Sequence, residues 1–409
     1  MRILFVSQLF DPENAIKGLA FAQQLQSKGH EVEVVTTFPS YPGGKVYSGY
    51  TQGWRKVEQL GGVRVVRVPT YISHGQSAFR RMLSYASFAF AAGCYCLFSA
   101  RRANVIYAYY PPVMVGLMAL LVGWFRRTPY VYDVQDLWPE ALTATGNVSS
   151  TGRVVRVIEL LCGWIYRRAA RVVVLSEGYQ VALVRKGVPA ERIVKIYNWC
   201  DETRLQAINE APPGWRELPG RFRVLYAGNL GSAQALRHVI DAAGELSGSG
   251  NTDIQIVLLG NGVQRNELMA LVQERQLSNV SFLPQVSVDQ VGNYLSVADA
   301  LLVHLADDPV FDITIPQKTQ AYLMAGRPIV MAVRGESGAL VAAAGAGITV
   351  PPCDAKALAK GIVELSALSP IELREMGKRG QAFYQQKMSM SNGVNEVEKL
   401  LLCVASSTC

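Results

Sequence analysis

The feature that most constrains this chain is one alternation met twice: short apolar runs separated by helix-length segments, first over residues 1–198 and again from residue 221. The chain opens with the apolar run Ile3 to Ser7, a turn-rich DPENAIKG, an amphipathic stretch over 19–28, Gly29 and the run EVEVVTT. That order predicts a β-α-β unit. Further strands are predicted at 63–68, 105–108, 130–133 and 172–175, short and apolar as strands of a doubly covered parallel sheet must be. After a polar, Pro-containing stretch the pattern restarts as FRVLYAG, IQIVLLG, VSFLP, ALLVHL, PIVMAV and GITV, with helices from Gln234, Val263, Asp289 and Pro316. The implied fold is α/β with two facing, Rossmann-like, doubly wound domains, 1–198 and 221–385, joined by a linker over 199–220. Helical spacing at Leu373, Met376, Phe383 and Tyr384, then at Val394, Val397, Leu400 and Leu401, predicts a last segment, 386–409, that returns toward the first domain.

Composition narrows the class. With 409 residues, 50% hydrophobic and 18% charged, the chain has material for two cores and is neither disordered nor fibrous. The seven cysteines form no CxxC pair and have no His at metal spacing, so reduced, mostly buried thiols and metal-independent chemistry are expected. The start, MRILFVSQLFDPE, reads as a buried strand rather than a signal peptide, so a cytoplasmic location is expected. Charge is unevenly spread: residues 1–200 hold 23 Lys and Arg against 11 Asp and Glu, a net of +12, whereas 201–409 hold 17 against 21, a net of −4. A basic first half fits an anionic partner, either nucleic acid or an anionic membrane surface, or a solvated basic face. Residues 83–100 and 111–125 are uncharged, and Arg80, Arg81, Arg101, Arg102, Arg126 and Arg127 flank them. Three readings stay open: buried core helices, helices lying in the plane of a membrane, and spanning helices, for which both are short. Arg pairs with Tyr and Trp nearby favour the interface over a fully buried site.

Ligands of open α/β sheets bind outside the carboxyl ends of the strands. In the second domain three such loops open helices: Gly228-Asn229-Leu230-Gly231, Gly260-Asn261-Gly262, and Thr314-Ile315-Pro316-Gln317-Lys318. The last is suited to a diphosphate, because a helix start offers unpaired N–H groups, Pro316 fits the first turn and Lys318 adds a full charge. The bland alternative is a plain helix start with a solvated lysine. No Walker motif or GxGxxG follows the first strand of either domain, which speaks against an NTPase or a nicotinamide enzyme. In the first domain YDVQDLWPE puts Asp133, Asp136 and Glu140 around a Trp138 expected to be exposed, and carboxylates at a strand end can activate a hydroxyl or order a sugar. The structural alternative is that Asp136 caps a helix and Trp138 packs in the core. The loop PSYPGGKVYSGY, with Tyr41 and Lys45, offers rings and a charge to a saccharide or a lipid headgroup.

These strings, with GHEVEVVTTFPSYPGGKVYSGY, VVVLSEGY, IYNWCDE, YAGNLGSAQ, LLGNGVQRNEL, FLPQ and TIPQKTQAYLMAGRPIV, in this order, resemble the family 4 glycosyltransferases of GT-B fold over nearly the whole chain. The likeness is greatest to the bacterial surface-polysaccharide branch that transfers amino sugars such as N-acetylfucosamine. It implies retaining transfer of an N-acetylated amino sugar from a nucleotide-diphosphate sugar, usually a UDP-sugar, as co-substrate. The implied acceptor is a polyprenyl-diphosphate-linked saccharide of O-antigen or capsule type, on the inner face of the plasma membrane. On that mapping Gly228, Asn229, Leu230, Gly231 and Gln234 lie near diphosphate and sugar, Leu283 and Gln285 near the base, and Thr314, Ile315, Pro316, Lys318 and Thr319 on the phosphates. Gly18, Tyr41, Lys45, Gln135, Trp138 and Glu140 are the candidate acceptor residues, and Asp136 and Lys318 the candidate catalytic ones.

The chain also departs from the family pattern. Two glutamates common ahead of AGRP read Ile313 and Ala321 here, and an Arg and a Lys common after the first donor strand read Asn229 and Gln234. Lys318 and Arg237 are expected to supply charge instead, and Asp312 and Gln320 are candidates for the ribose. The missing glutamates keep a catalytically silent sugar-nucleotide-binding or scaffold protein open. A nucleotide-sugar epimerase of the same fold is also open, although the chain holds only His30, His74, His238 and His304. Nucleic-acid binding would explain the charge but not the apolar segments, so no nucleic-acid partner is expected.

Overall fold

Two parallel sheets organise the chain. The computed structural model describes residues 1–41, 43–72, 78–111, 113–140, 152–206 and 212–406, in two units, Met1–Tyr197 with Ser391–Cys409, and Asn198–Met390.

The first unit runs β1 (Arg2–Ser7), α1 (Leu19–Ser27), β2 (Glu31–Thr37), β3 (Lys56–Leu60), β4 (Val63–Val68), α2 (Ala78–Phe98), β5 (Val105–Tyr110), α3 (Met114–Arg126), β6 (Tyr130–Val134), α4 (Arg153–Arg168), β7 (Arg171–Val174), α5 (Glu177–Arg185) and β8 (Ile193–Lys195). Its sheet order is β3-β4-β2-β1-β5-β6-β7-β8. Ile3 of β1 sits opposite Val32 on one side and Val105 on the other, both parallel. β3 alone is antiparallel, on the edge beside β4. Its sequence, KVEQL, alternates between exposed and half-buried residues and escaped the apolar-run reading, as did the three-residue β8. Because strand order reverses at β1, the loops after β1 and β5 diverge and leave a crevice at the strand ends. Right-handed crossovers place α1 on one face of the sheet and α2, α3 and α4 on the other.

The second unit runs β9 (Phe222–Ala227), α6 (Arg237–Gly248), β10 (Ile254–Leu259), α7 (Arg265–Glu274), β11 (Val280–Leu283), α8 (Val288–Val297), β12 (Ala300–His304), α9 (Gln317–Ala325), β13 (Ile329–Ala332), α10 (Glu336–Ala344), β14 (Gly347–Thr349), α11 (Ala355–Ser366) and α12 (Pro370–Lys387). The sheet order β11-β10-β9-β12-β13-β14 is parallel throughout and reverses between β9 and β12. Val224, Tyr226, Ile256, Leu258 and Leu302 of the strands pack with Val239 and Ile240 of α6 in its core. The helix expected from Gln234 starts later. A 3-10 turn, Ser232–Gln234, comes first, and Ala235 takes a left-handed φ of 46° before α6.

The last helix, α13 (Met390–Ser406), belongs by its contacts to the first unit. Its Glu398 carboxylate meets Lys28 Nζ and His30 Nε2, both at 2.9 Å, at the end of α1. Among the described residues no helix is long and apolar enough to cross a membrane, which removes the spanning reading of 83–100 and 111–125. Among the described residues five cysteines are free, whereas Cys403 is disulfide-bonded, which corrects the expectation that the thiols are all reduced.

Candidate functional site

In the second unit the strand-end loops are held backbone against backbone. Gly228 N donates to Leu259 O and Leu230 N to Asn261 O, each at 2.9 Å. A Cβ at Gly260 would lie 2.0 Å from Gly228 O, and one at Gly262 2.4 Å from Leu230 O. Only glycine permits that approach, and Gly228 and Gly260 also have φ of 139° and 142°. The uncharged Asn229 and Gln234 act inside this loop: Gln234 Oε1 accepts from Gly231 N at 3.2 Å and from Asn229 Nδ2 at 3.3 Å. Buried His304 fixes the following turn, its Nδ1 lying 2.8 Å from Gln234 O, and burial pulls its pKa down to about 4.

Beside this loop α9 begins. Pro316 precedes the helix; Thr319 N already donates to Pro316 O at 2.8 Å, while the N–H groups of Gln317 and Lys318 have no earlier helical carbonyl to bond. Lys318 is half-buried and runs back to β9, where its Nζ donates to Tyr226 Oη at 3.0 Å and lies 4.6 Å from the centre of that ring. Tyr226 in turn donates to Asn229 O at 2.6 Å. Desolvation lowers the Lys318 amine to about 8. The next residue, Thr319, is fully buried, and its Oγ1 has no hydrogen-bond partner among the described residues. The helix start and an ammonium against Gly228 are donors that suit an anion, and the next residue along carries a buried unpaired hydroxyl. The two tyrosines that brace this corner, Tyr226 and Tyr322, were not anticipated. Tyr322 Oη accepts from Ala227 N at 3.0 Å.

Other expected donor residues sit less freely. Thr314 Oγ1 donates to Val310 O at 2.7 Å and Ile315 is buried. Gln320 is buried, with an amide nitrogen placed to donate to Pro316 O at 2.8 Å and Gln317 O at 3.1 Å, so its side chain is occupied in the helix start rather than open to a ribose. Asp312 keeps Arg334 Nε at 3.7 Å. Leu283 ends β11 and is buried, Gln285 is exposed beyond it, and Arg237 is exposed at the start of α6.

In the first unit the strand-end loops are held by charge. Lys17 and Asp133 form a fully buried ion pair, and Tyr107 Oη donates to the same carboxylate oxygen. Gln135 Nε2 donates to the other oxygen at 2.5 Å. Glu13, also buried, accepts from Ser40 N at 2.6 Å and Tyr41 N at 2.7 Å, and so ties the loop after β1 to the loop after β2. Asp11 accepts from Leu19 N at 2.6 Å, and a Cβ on Gly18 would lie 2.3 Å from its Oδ2, so Gly18 is buried and makes room for this cap. Asp136 is exposed at the rim, and desolvation by the chain around it raises its carboxyl pKa. Tyr41 and Lys45 are exposed on their loop.

Trp138 corrects the reading of the YDVQDLWPE string: it is buried, so its indole belongs to the core and not to an acceptor surface. Glu140 pairs with Lys186 Nζ at 2.6 Å. Sequence reasoning missed Lys17 and Glu13. Each stands in the turn-rich DPENAIKG stretch, where no periodicity marks it, and Lys17 meets a carboxylate 116 positions away.

Comparison with known proteins matches these features. Residues 19–199 match a family model described as a glycosyl transferase 4-like domain, and residues 221–367 one described as glycosyl transferases group 1. A protein of Escherichia coli K12 named as the colanic acid biosynthesis glycosyl transferase WcaI is 28% identical over 384 residues, 88% of this chain and 91% of its own. A Pseudomonas aeruginosa protein named as the glycosyltransferase WbjE is 24% identical over 75% of each chain. Among solved structures, Anabaena HepE in complex with UDP superposes with a TM-score of 0.70 at 16% identity, covering 98% of this chain and 99% of that one. Sucrose-phosphate synthase from Thermosynechococcus elongatus gives 0.72 at 18% identity over 99% of both chains. Two domain models in tandem, over two parallel sheets with their loops at the strand ends, establish that the chain belongs to the family 4 glycosyltransferases of GT-B fold.

Proposed function

We propose that the second unit binds the diphosphate of a UDP-sugar at Lys318 and the start of α9, and that the enzyme transfers the sugar, an N-acetylated amino sugar, with retention. The acceptor is the hydroxyl of a polyprenyl-diphosphate-linked saccharide bound by the first unit at the inner face of the plasma membrane, in surface-polysaccharide synthesis. One observation carries the donor assignment: a half-buried ammonium whose hydrogen-bond partner is the neutral Tyr226, next to the unpaired Thr319 hydroxyl at a helix start. The UDP bound by HepE and the colanic acid biosynthesis in the name of WcaI support the nucleotide and the pathway class.

The chemistry follows from charge. The bond from the sugar C1 to the diphosphate oxygen breaks, a bond from C1 to the acceptor oxygen forms, and the hydroxyl proton passes to the departing phosphate oxygen or to Asp136. Charge grows on the diphosphate as the bond breaks, and Lys318 with the N–H groups of α9 stabilises it there. The buried Lys17–Asp133 pair holds the acceptor-side loops.

Thermal stabilisation by UDP, GDP, ADP and TDP tests the donor site, since a ligand of the folded state raises Tm. The largest shift is expected with UDP, and it should shrink in Lys318→Ala. No shift with any of the four at millimolar concentration would remove the donor site and leave the scaffold reading. Asp136→Asn separates the two proton routes: unchanged donor binding with depressed turnover makes Asp136 the base, whereas full turnover gives the proton to the leaving phosphate.

A further inference from the structure

Helices α2, α3 and α4 form a tight layer on one face of the first sheet. A Cβ on Gly93 of α2 would lie 3.3 Å from Met118 of α3, and one on Gly116 of α3 2.8 Å from Ile165 of α4, so α3 is clasped between its neighbours. The inward stripes are the expected ones, with Phe88, Ala119 and Ile165 fully buried. The outward stripes should then be polar. They are not: Phe90 and Phe98 on α2, Trp124 and Phe125 on α3, and Leu160 and Trp164 on α4 are all exposed, Phe98 by 84% and Trp124 by 71%. Among the described residues of the second unit the exposed large hydrophobic side chains are three scattered ones, Val263, Met269 and Ile371.

Charge distinguishes this face from a plain sticky surface. From Ala78 to Tyr132 the sequence holds six Arg and not one Asp or Glu, and α4 adds a single acid, Glu159, among four Arg. Arg80, Arg81, Arg102, Arg127, Arg167 and Arg168 are exposed at the helix ends. Guanidinium groups around a patch of aromatic and aliphatic side chains match phosphate headgroups over acyl chains. A second copy of the chain is a poor occupant, because an isologous contact would press this unopposed positive charge against itself.

We infer that the outward face of α2, α3 and α4 docks flat on an anionic lipid surface, with Phe90, Phe98, Trp124, Phe125, Leu160 and Trp164 in the headgroup–acyl boundary and the arginines on lipid phosphates. The inference deepens the lipid-linked-acceptor reading and rests on it for its purpose, but its test does not involve sugar transfer.

The full chain is floated with phosphatidylcholine vesicles with and without phosphatidylglycerol, at low and high salt. Binding is expected with phosphatidylglycerol at low salt and should weaken with salt. The double variant Trp124→Ser/Phe125→Ser should lose about tenfold or more in partitioning, and Arg80→Gln/Arg81→Gln about fivefold per charge removed. Both pairs are exposed, so Tm and the UDP-induced shift should stay at wild-type values, which keeps a failure here separate from a failure of the donor site. Wild-type chain that stays unbound on anionic vesicles overturns the inference, as does a serine variant that floats like wild type. A vesicle-insensitive dimer that the serine variant converts to monomer overturns it too, by assigning the face to a second copy.

Discussion

The two units share an architecture and differ in what holds their strand-end loops. In the first, Glu13, Lys17, Glu33, Arg67 and Asp133 are buried charged side chains. Arg67 alone bonds Glu58 Oε1, Thr37 O and Asp11 O at 2.6 to 2.8 Å. Among the described residues of the second unit, no Asp, Glu, Lys or Arg is buried, and its loops rest on glycine backbone, two tyrosines and a glutamine amide. The donor-site proposal gives the difference a chemical reason: a loop that receives a diphosphate keeps its N–H groups and one lysine uncommitted to carboxylates, since a neighbouring acid would compete with the ligand for them. The first unit's loops satisfy their buried charges internally.

The contrast can be broken by substitution, and the largest effect is expected at Lys17. Lys17→Met leaves Asp133 buried without its cation and should cost the first unit about 3–5 kcal/mol, part of which Asp133→Asn in the same chain should restore. Urea unfolding measures this, and an unchanged first transition would mean the pair does not hold the loops. Acid should act first on the other unit. His304 titrates at about 4 when folded against 6.5 ordinarily, so the unfolded chain takes up the proton first. The second unit's stability is then complete above pH 6.5 and falls as pH drops toward 4, by up to about 3 kcal/mol. His304→Gln should flatten that slope in a melt against pH.

Smaller effects concern ligands. Lys318→Ala should weaken UDP binding about tenfold or more, the worth of a charge-assisted hydrogen bond. Because the free amine titrates at about 8, a bound diphosphate must pull a proton onto it at higher pH, so affinity should fall above pH 8 by up to about tenfold per unit. Lys318→Arg should remove that dependence in a calorimetric titration, because a guanidinium stays charged. Gly228→Ala should weaken the same binding, since its Cβ would lie 2.7 Å from Lys318 Cε at a φ of 139°. The smallest change is expected in the stability of Trp124→Ser, within about 0.5 kcal/mol, because an exposed ring has little packing to lose.

Much of the fold was legible because buried parallel strands leave nearly continuous apolar runs such as IQIVLL, broken by Gln255, in which all six residues of β10 are buried. The edge strand β3 has one solvated side and left no such run. At the site, the glycines and Lys318 could be read because a loop that hugs another backbone tolerates few residue types. Trp138 was misread because the order of residues in a string does not say which way a side chain points.

The sequence by itself determined two doubly wound units and where their strand-end loops fall, since periodicity and glycine are local properties of a chain. Tertiary structure alone decided that Lys17 neutralises Asp133, that Lys318 leans on Tyr226, and that three apolar helices end with their aromatic sides outward. Those are properties of distance and burial, set by which segments the sheet order brings together, and no window along the chain contains them.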